Sequence, residues 1–351
     1  MQDIIYTHDI CNELAAVLSR YGNYDRIFVL TDENTERLST DILKECNALN
    51  SVRHIVIKPG DGNKSIESVM HVWRELSING ATRHSCLVNV GGGMVTDLGG
   101  FAASTFKRGI DFINIPTTLL SMVDASVGGK TGFNFEGLKN EIGVFKDARS
   151  VLISTVFLRS LSSENILSGY AEMLKHSLLG NEDMWKRHLR FDPLEKSLDL
   201  CTLQEMIKES VMLKERIVTT DPTEKGLRKA LNFGHTIGHA IESLSISKGH
   251  PVLHGFAVAY GIVAELFLSC IIEGLPTIKM RQTAQFVFDN YGHPDISCSS
   301  YDTLYRLMLH DKKNNSGIVN FTLLSDIGKI DINMTATKQL IFESLDFLRE
   351  G

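Results

Sequence analysis

The sequence has little of several features that mark particular classes of protein. The 351 residues carry a formal net charge of -6 at pH 7, so no basic surplus is present to bind a nucleic acid or an anionic membrane surface. The first ten residues lack a basic segment followed by an apolar run, so no signal peptide is expected. Apolar residues make up 43% and charged residues 22% of the chain, which excludes wholesale disorder. We expect a globular cytoplasmic protein without nucleic-acid or membrane partners.

Long apolar runs and closely spaced cysteines are also missing. The longest apolar stretch extends from Phe256 to Ile272 and is interrupted by Glu265. It is shorter than the ~20 residues of a membrane-spanning helix, so an interior helix is predicted. The cysteine spacing predicts reduced thiols and argues against a disulfide framework or a cysteine-ligated zinc site. This applies to all six cysteines: Cys11, Cys46, Cys86, Cys201, Cys270 and Cys298.

The order of strand-like and helix-like segments predicts two domains, which the length allows. In the first half, short β-branched runs alternate with helical spacing, which is typical of a parallel sheet with helices on both faces. The predicted strands are Arg26–Leu30, His54–Lys58, Cys86–Val90, Phe112–Ile115 and Val151–Ile153. From about Leu158 helical patterns dominate, at Glu164–Leu179, Leu203–Val218, Leu231–Leu244, Gly255–Ile272 and Ile278–Asn290. We therefore predict an α/β domain over 1-157 and a mostly α-helical domain over 158-351.

A glycine-rich segment follows the third predicted strand and opens a helix. Gly91-Gly92-Gly93 would let the backbone approach a pyrophosphate, and the helix N-terminus would supply N–H donors. The spacing is not the G-x-G-x-x-G fingerprint, so a tight turn with close packing at Gly99 and Gly100 is the alternative. Polar residues also follow the first strand, at Thr31 to Asn34, where ribose hydroxyls could bind. Because ligands bind at the carboxyl ends of parallel strands, these clusters favour a Rossmann-like dinucleotide-binding domain.

Cationic and amide side chains are concentrated between Arg108 and Asn140. The segment Asp124 to Thr131 is similar to a phosphate-binding P-loop, but that motif requires glycine where this chain has Asp124. Lys130 in this glycine-rich turn can still hold a phosphate or a carboxylate as a point charge. A solvated surface residue is the alternative for any single lysine. Together these side chains predict a local anion-binding pocket.

Two histidines, His235 and His239, lie four residues apart and share one face of a predicted helix, which is metal-ligand spacing. The glutamate that a metalloprotease H-E-x-x-H requires is missing. His254 begins the next helix, and Glu172 lies in an otherwise apolar helix, where a buried carboxylate needs a partner such as a cation. Spacing alone does not exclude His176, one turn after Glu172, as a ligand. The pattern favours a divalent metal with an open position for substrate, with a structural histidine pair as the alternative.

Seven sequence blocks occur in an order that resembles the 3-dehydroquinate synthases of the shikimate pathway. The blocks are GGGMVTDLGGFAASTFKRG, PTTLLSMVDASVGGKTGFN, LKNEIGVF, SGYAEMLKHSLL, LNFGHTIGHAIE, LHGFAVAYG and DKK. They are long and specific, and the resemblance covers about residues 20–330. The resemblance implies an α/β N-terminal dinucleotide-binding domain, a mostly α-helical metal-binding C-terminal domain and a homodimer.

The resemblance also implies roles for individual residues. One divalent metal, zinc or cobalt, would be held by Glu172, His235 and His254, with His239 on the substrate and His176 structural. NAD would be bound by Asp32, Asn34, Asp61, Lys64, Gly91, Gly92, Gly93, Asp97, Thr117 and Thr118. Asp124, Lys130 and Lys139 would lie where nucleotide and substrate meet. The substrate phosphate and carboxylate would contact Arg108, Lys130, Lys139, Asn140, Lys214, Arg228, Asn232 and a lysine of the pair Lys312 and Lys313.

The chain departs from the family pattern at three places. Asp61 stands where the family usually has glutamate, which shortens the reach to the ribose. Phe256 replaces the glutamate that follows His-Gly in the family, so any carboxylate that supports the metal ligands must come from elsewhere. The stretch from Leu161 to Asn165 replaces a Leu-Pro-x-Arg-Glu pattern. None of these changes removes a predicted metal ligand.

The implied reaction converts 3-deoxy-D-arabino-heptulosonate 7-phosphate into 3-dehydroquinate and phosphate, with NAD regenerated in each turnover. Oxidation of a carbinol by NAD, with a metal polarising its oxygen, would acidify the neighbouring carbon and let phosphate leave. A sibling sugar-phosphate cyclase is one alternative, although four features favour a substrate that carries a carboxylate: Arg228, Asn232, His239 and the pair Lys312 and Lys313. A metal-dependent alcohol dehydrogenase, which would release NADH, and a catalytically inactive nucleotide-binding regulator are the others.

Overall fold

The computed structural model describes residues 2–22, 24–49, 52–136, 138–195, 199–309 and 318–351. The chain divides into two compact units, Met1–Ser162 with Asp199–Val211, and Ser163–Leu198 with Met212–Gly351. The boundary predicted between residues 157 and 158 is close to the change of unit after Ser162. The stretch Asp199–Val211 differs from the prediction because it belongs to the first unit, where Gln204 accepts a hydrogen bond from the Thr155 hydroxyl at 3.2 Å.

The first unit is built on a parallel sheet. Its strands are β1 (Asp3–Tyr6), β2 (Ile27–Asp32), β3 (Arg53–Ile57), β4 (Cys86–Gly91), β5 (Asp111–Pro116), β6 (Lys130–Phe135), β7 (Leu138–Phe145) and β8 (Ser150–Ile153). Six of them form a sheet in the order β1-β8-β5-β4-β2-β3, with neighbouring strands parallel, and β6 and β7 form a separate antiparallel hairpin. β2, β4 and β5 are buried over nearly their whole length, as expected for parallel strands covered on both faces. The predicted α/β architecture is confirmed.

Four helices accompany these strands: α1 (Ile10–Tyr21), α2 (Glu33–Lys44), α3 (Ile66–Ile78) and α4 (Gly93–Thr105). Aspartates begin the first two helices, because the Asp9 and Asp32 carboxylates accept backbone N–H groups that the helix leaves open. The sequence does not reveal β1, since it has four residues of which the first is exposed and the others are only partly buried.

The second unit is mostly helical. Its elements are α5 (Ser163–Gly180), α6 (Glu182–Arg190), α7 (Leu200–Thr220, with its first part in the first unit), α8 (His235–Ser247), α9 (His254–Ile272), α10 (Thr277–Tyr291), α11 (Tyr301–Leu309), β9 (Asn320–Asp326), β10 (Lys329–Thr335) and α12 (Lys338–Glu350). The predicted helix that includes His235 begins four residues too early, because Leu227–Asn232 forms a 3-10 turn. By length and composition α9 could cross a membrane, but 72% of its most apolar window is buried inside the protein, as predicted for an interior helix.

Two of the six cysteines are bonded to each other. Cys11 on α1 and Cys46, just after α2, form a disulfide with a Cα–Cα distance of 4.6 Å. The prediction of reduced thiols is wrong for this pair, because 35 residues separate them in the sequence and only packing between α1 and the turn after α2 brings them together. The free cysteines are Cys86, Cys201, Cys270 and Cys298.

His188 on α6 is a buried histidine outside the predicted sites. Its side chain is fully enclosed, and Nδ1 lies 2.8 Å from the backbone oxygen of Met184. Burial lowers the pKa of His188 from 6.5 to about 4. The folded protein therefore keeps this ring neutral at pH values where the unfolded chain binds a proton.

We predict that the free energy of unfolding decreases as the pH falls from 6.5 to about 4, because proton binding then favours the unfolded chain. The pKa shift corresponds to about 3 kcal/mol at the acid end of this window. His188→Leu should flatten this part of the pH dependence in urea unfolding, whereas His84→Leu, at an exposed position, should not. Equal slopes for the three proteins would contradict the assignment.

Candidate nucleotide and metal sites

The carboxyl ends of β2, β4 and β5 carry residues predicted to bind NAD. Asp32 is the last residue of β2, Gly91 is the last of β4, and Thr117 and Thr118 directly follow β5. Gly91 pairs in register with Pro116, and the Thr117 N–H donates to the Gly91 carbonyl at 2.9 Å. The predicted clusters therefore lie along one edge of the sheet.

The turn between β4 and α4 leaves the backbone accessible. Gly92 is the N-cap of α4 and has no side chain to occupy the helix N-terminus. A Cβ at Gly92 would lie 3.2 Å from the side chain of Thr118, and one at Gly93 would lie 3.0 Å from Ala125. Thr118 and Ala125 therefore leave room for little more than glycine at these two positions, and a glycine-lined helix N-terminus suits a phosphate oxygen.

Asp32 has a structural role that is visible without a ligand. Its Oδ1 accepts the N–H groups of Asn34 and Thr35 at 2.8 and 2.9 Å, and Oδ2 accepts the Thr35 hydroxyl at 3.0 Å. The carboxylate thereby caps α2, while Asn34 is exposed on the first turn of that helix. The capping bonds fix Asp32 at the strand end where the sequence predicts the ribose.

Three predicted residues from distant segments meet at the buried side chain of Lys64. Its Nζ lies 2.6 Å from Asp97 Oδ2 on α4 and donates a short hydrogen bond to Asn140 Oδ1 on β7. Asn134 ties the hairpin to the same turn, since its N–H donates to the Lys64 carbonyl at 2.8 Å and its Nδ2 to the Asp61 carbonyl at 3.0 Å. Asp97 balances the buried charge of Lys64, so α4, the hairpin and the turn after β3 form one polar cluster.

The remaining predicted residues of the first unit lie on turns and on the hairpin. Lys139 Nζ pairs with Asp61 Oδ2 at 3.2 Å, so the shortened side chain at position 61 still reaches a cation. Lys130 begins β6, and Asp124 lies in a π-helical turn. Arg108 ends a 3-10 turn with a φ of 70°, a left-handed conformation of the kind that costs free energy and is often found at ligand sites.

Glu172 on α5, His235 on α8 and His254 on α9 converge at one point. Oε1 of Glu172 lies 3.4 Å from Nε2 of His235 and 3.6 Å from Nε2 of His254. These separations are longer than hydrogen bonds, and one possible ligand atom from each residue lies within 4.8 Å of the others. Two imidazoles and a carboxylate form a donor set typical of catalytic zinc sites, which keep a fourth position for substrate. The donor set therefore fits one divalent metal ion.

Two of the three predicted ligands are already in the protonation state that a metal requires. Although burial opposes ionisation, Lys175 and His235 hold the pKa of Glu172 well below its usual range. Burial, with a contribution from Lys175, lowers the pKa of His235 to about 3, so its ring is neutral and can bind a metal. Against the effect of burial, Glu172 and Glu242 raise the pKa of His254 to about 10, so a metal ion that binds Nε2 has to displace a proton from this ring.

Lys175 is a residue of this cluster that the sequence analysis missed. Its Nζ lies 2.5 Å from Oε2 of Glu172 and donates to the carbonyl of Leu231 at 2.9 Å. Both charged side chains are buried. The i,i+3 spacing of Glu172 and Lys175 could have indicated an ion pair, but spacing does not say that the pair is buried beside the histidines.

A second buried carboxylate fixes the start of α8. Glu265 on α9 accepts three backbone N–H groups, those of Gly234, Thr236 and Ile237, at 2.7, 3.1 and 3.3 Å. Gly234 precedes the helix in a left-handed conformation with a φ of 78°. In the sequence Glu265 is only an interruption of an apolar run, whereas in the structure it positions the first turn of α8, which carries His235.

Glycines let the helices that carry the predicted ligands approach one another. A Cβ at Gly255 on α9 would overlap the backbone carbonyl of Ser168 on α5, and one at Gly261 would overlap the carbonyl of Gly234. The Gly255 N–H also donates to the Ser168 hydroxyl at 3.1 Å. Gly255 is next to His254, and Ser168 is one turn before Glu172, so this contact sets the separation of two predicted ligands.

Two cationic residues predicted to contact the substrate are buried in the second unit. Arg228 donates from Nη1 to the carbonyl of Pro222 at 2.7 Å, and Lys214 lies on α7. Asn232 donates from Nδ2 to Glu224 Oε1 at 2.9 Å. Glu224 was not singled out in the sequence, because a glutamate in a polar turn has no pattern that distinguishes it.

His239 lies beside the predicted ligands. Its ring centroid is 5.2 Å from that of His235 and 5.9 Å from that of His254. This position agrees with a side chain that faces the metal site without being one of the three converging ligands. The predicted contact of Lys312 or Lys313 lies outside the described residues.

Comparison with known proteins shows similarity to 3-dehydroquinate synthases over almost the whole chain. The family model for the 3-dehydroquinate synthase N-terminal region matches residues 54–168, and that for the C-terminal region matches residues 169–314. A 3-dehydroquinate synthase of Parabacteroides distasonis is 50% identical over 350 residues, which cover 100% of this chain and 98% of the relative. One of Clostridium tetani is 35% identical over 323 residues, covering 91% and 85% of the two chains.

Two solved structures have the same fold. A 2-deoxy-scyllo-inosose synthase complexed with carbaglucose-6-phosphate, NAD+ and Co2+ superposes with a TM-score of 0.84 at 22% identity, covering 97% of this chain and 95% of that chain. The 2-epi-5-epi-valiolone synthase of Streptomyces hygroscopicus, with NAD+ and Zn2+ bound, gives 0.83 at 23% identity, covering 99% and 96%. The fold is thus that of the sugar-phosphate cyclases. Within that class, the chain belongs to the 3-dehydroquinate synthase family and is an enzyme of the shikimate pathway.

We predict that Gly255→Ala weakens metal binding, because the new Cβ forces α9 away from the Ser168 carbonyl and metal ligands tolerate displacements of only about 0.2 Å. Overpacking of this kind should also cost about 1–3 kcal/mol of stability. Zinc affinity by chelator competition and thermal unfolding test both effects. Gly180→Ala is the matched control on α5, since its Cβ would meet the flexible Met184 side chain at 3.0 Å and Leu213 at an ordinary contact distance of 3.9 Å. Unchanged zinc affinity in Gly255→Ala would contradict the prediction.

Proposed function

We propose that this chain converts 3-deoxy-D-arabino-heptulosonate 7-phosphate into 3-dehydroquinate and phosphate, using NAD that is regenerated in each turnover and one divalent metal, zinc or cobalt. The observation that carries the proposal is the convergence of Glu172, His235 and His254 in a chain of this family. The NAD+ and Co2+ or Zn2+ complexes of proteins with the same fold support the choice of cofactors. Residues 1-157 would bind NAD, and residues 158-351 would bind metal and substrate.

The proposed NAD site combines the strand ends with the polar cluster around Lys64. Its residues are Asp32, Asn34, Asp61, Lys64, Gly91, Gly92, Gly93, Asp97, Thr117, Thr118, Asp124, Lys130 and Lys139. The bare N-terminus of α4 suits the pyrophosphate, and the capped Asp32 offers a rigid carboxylate for ribose hydroxyls. Lys64, held by Asp97, orients these groups without adding a net charge.

The second unit supplies the metal ligands and part of the substrate contacts. When bound, NAD provides a reversible hydride acceptor and the metal ion polarises the oxygen that is oxidised. Glu172 is held ionised by Lys175, and His235 is held neutral, so both are in the state that a ligand requires. Cations and amides would orient the phosphate and carboxylate, namely Arg108, Lys130, Lys139, Asn140, Lys214, Arg228, Asn232 and Lys312, with His239 beside the metal.

We propose that the protein binds a sugar-phosphate substrate. We also propose that it forms a homodimer, as the family resemblance implies. We also propose a cytoplasmic location, where the intermediates of a biosynthetic pathway are found. Four free cysteines agree with a reducing compartment. The Cys11–Cys46 disulfide is atypical of a reducing compartment.

The function is tested by incubating the metal-loaded protein with the heptulosonate phosphate and a catalytic amount of NAD. We expect stoichiometric release of phosphate and formation of dehydroquinate without accumulation of NADH, because the hydride is returned to the product. Absence of both products would overturn the proposal. Accumulation of NADH equal to substrate consumed would indicate a dehydrogenase, and turnover only of a heptulose phosphate that lacks the carboxylate would indicate a sibling cyclase.

Two substitutions separate the metal site from the anion site. His235→Ala should lose bound metal and activity together, by more than the ~10–100-fold that changes around a ligand cost. Lys130→Ala should raise KM while leaving the metal content unchanged. His250→Ala, at an exposed position of the second unit, is the control. Full activity of His235→Ala would refute the ligand assignment. Metal loss in Lys130→Ala would show that the glycine-rich turn at Lys130 has a structural role.

A further inference from the structure

Glu242 is a buried carboxylate with no role in the function proposed above. It lies on α8, is 5% exposed, and is flanked along the chain by the buried Ile241. Its Oε2 is 3.4 Å from Nδ1 of His254 on α9. A buried carboxylate requires a compensating partner, and the imidazole of His254 is such a partner.

The two nitrogens of His254 face different carboxylates. Nε2 is directed at Oε1 of Glu172, at 3.6 Å, whereas Nδ1 is directed at Glu242. Once a metal ion displaces the Nε2 proton, an Nδ1–H that donates to a carboxylate keeps the lone pair on Nε2 and fixes both the tautomer and the plane of the ring. Nε2 is the nitrogen that faces the point where the other ligands converge.

His235 is held in the same manner by a different acceptor. Its Nε2 faces Oε1 of Glu172 at 3.4 Å, and its Nδ1 lies 3.1 Å from the backbone oxygen of Phe233. Each histidine therefore presents Nε2 to the metal position and Nδ1 to an oxygen behind it. The acceptor is a backbone carbonyl for His235 and the Glu242 carboxylate for His254.

The residues that follow His254 on α9 offer no acceptor for its Nδ1–H, so the acceptor comes from α8. The residue after His254-Gly255 is Phe256, whose ring packs edge-on against Tyr291 with centroids 5.1 Å apart and has no oxygen to offer. The close approach of α8 and α9 at Gly234 and Gly261 brings Glu242 within reach instead. The carboxylate that the sequence around His254 lacks is thus supplied from the preceding helix.

We propose that Glu242 is the positioning residue of the metal site: it accepts the Nδ1–H of His254 and so aims Nε2 at the metal. The inference rests on the proposed site of Glu172, His235 and His254. The competing arrangement makes Glu242 a ligand, since His239, Glu242 and His254 also offer donor atoms within 4.8 Å of one another. In that arrangement the metal would take Nδ1 of His254 in place of Nε2.

The experiment compares Glu242→Gln and Glu242→Ala with the wild type. Cobalt and zinc dissociation constants are measured by chelator competition, together with metal stoichiometry and the visible spectrum of the cobalt-loaded proteins. Loss of the supporting acceptor in Glu242→Ala should weaken binding about 10–100-fold. Glu242→Gln keeps an oxygen that can accept from Nδ1–H, so it should recover affinity to within a few-fold of wild type, with one metal per chain and an unchanged cobalt spectrum.

Ser243→Ala, at the neighbouring exposed position of α8, is the matched control, and circular dichroism of the metal-free proteins reports folding. Wild-type affinity in Glu242→Ala would overturn the inference. An altered cobalt spectrum and equal loss of metal in both variants would show instead that Glu242 is a ligand. If the wild type binds no metal, or His235→Ala binds it unchanged, the proposed metal site fails and not only the role of Glu242.

Discussion

The buried carboxylate of Glu172 is the interaction on which the second unit depends. An isolated charge of this kind costs several kcal/mol in a protein interior, so its surroundings must compensate it. Lys175 does so directly, and its second contact, with the Leu231 carbonyl, ties α5 to the segment that leads into α8. His235 and His254 then approach the other oxygen without making hydrogen bonds of normal length. This arrangement leaves Oε1 of Glu172 facing both imidazoles, at the position where we propose that a divalent cation binds.

Helix packing fixes the positions of the side chains in this charged cluster. Gly255 and Gly261 permit backbone contacts that any side chain would prevent, and Glu265 holds the start of α8 by three backbone N–H groups. The predicted ligands are carried by three helices of one core, and sites on such rigid elements are more precise than sites on loops. The first unit positions its predicted NAD-binding residues in a different way. Parallel strands place the polar residues at their carboxyl ends along one edge of the sheet, and glycines keep the N-terminus of α4 free of side chains.

Much of the fold is readable from the chain because it is encoded locally. The strands β2 to β5 and β8 are short runs rich in β-branched and other apolar residues, and the helices α3, α5, α9 and α10 follow helical spacing. The hairpin β6–β7 is not recognised, since glycine, asparagine and lysine make its segment look like an anion-binding loop. The boundary near residue 158 misses Asp199–Val211 because half of α7 belongs to the first unit, and nothing in a regular amphipathic helix marks such a division.

The sequence by itself determined the family and the α/β and helical halves, and it predicted the metal ligands, because spaced blocks of chemically unusual residues are recognisable without a three-dimensional structure. Only the tertiary structure decided what surrounds those residues: Glu242 behind His254, Lys175 beside Glu172, Asn134 linking the hairpin to Lys64, and the Cys11–Cys46 disulfide. The physical reason is the distance along the chain over which a sequence pattern carries structural information. Periodicity reports neighbours a few residues apart, whereas these contacts join separate elements or depend on burial, which the packing of the whole unit sets.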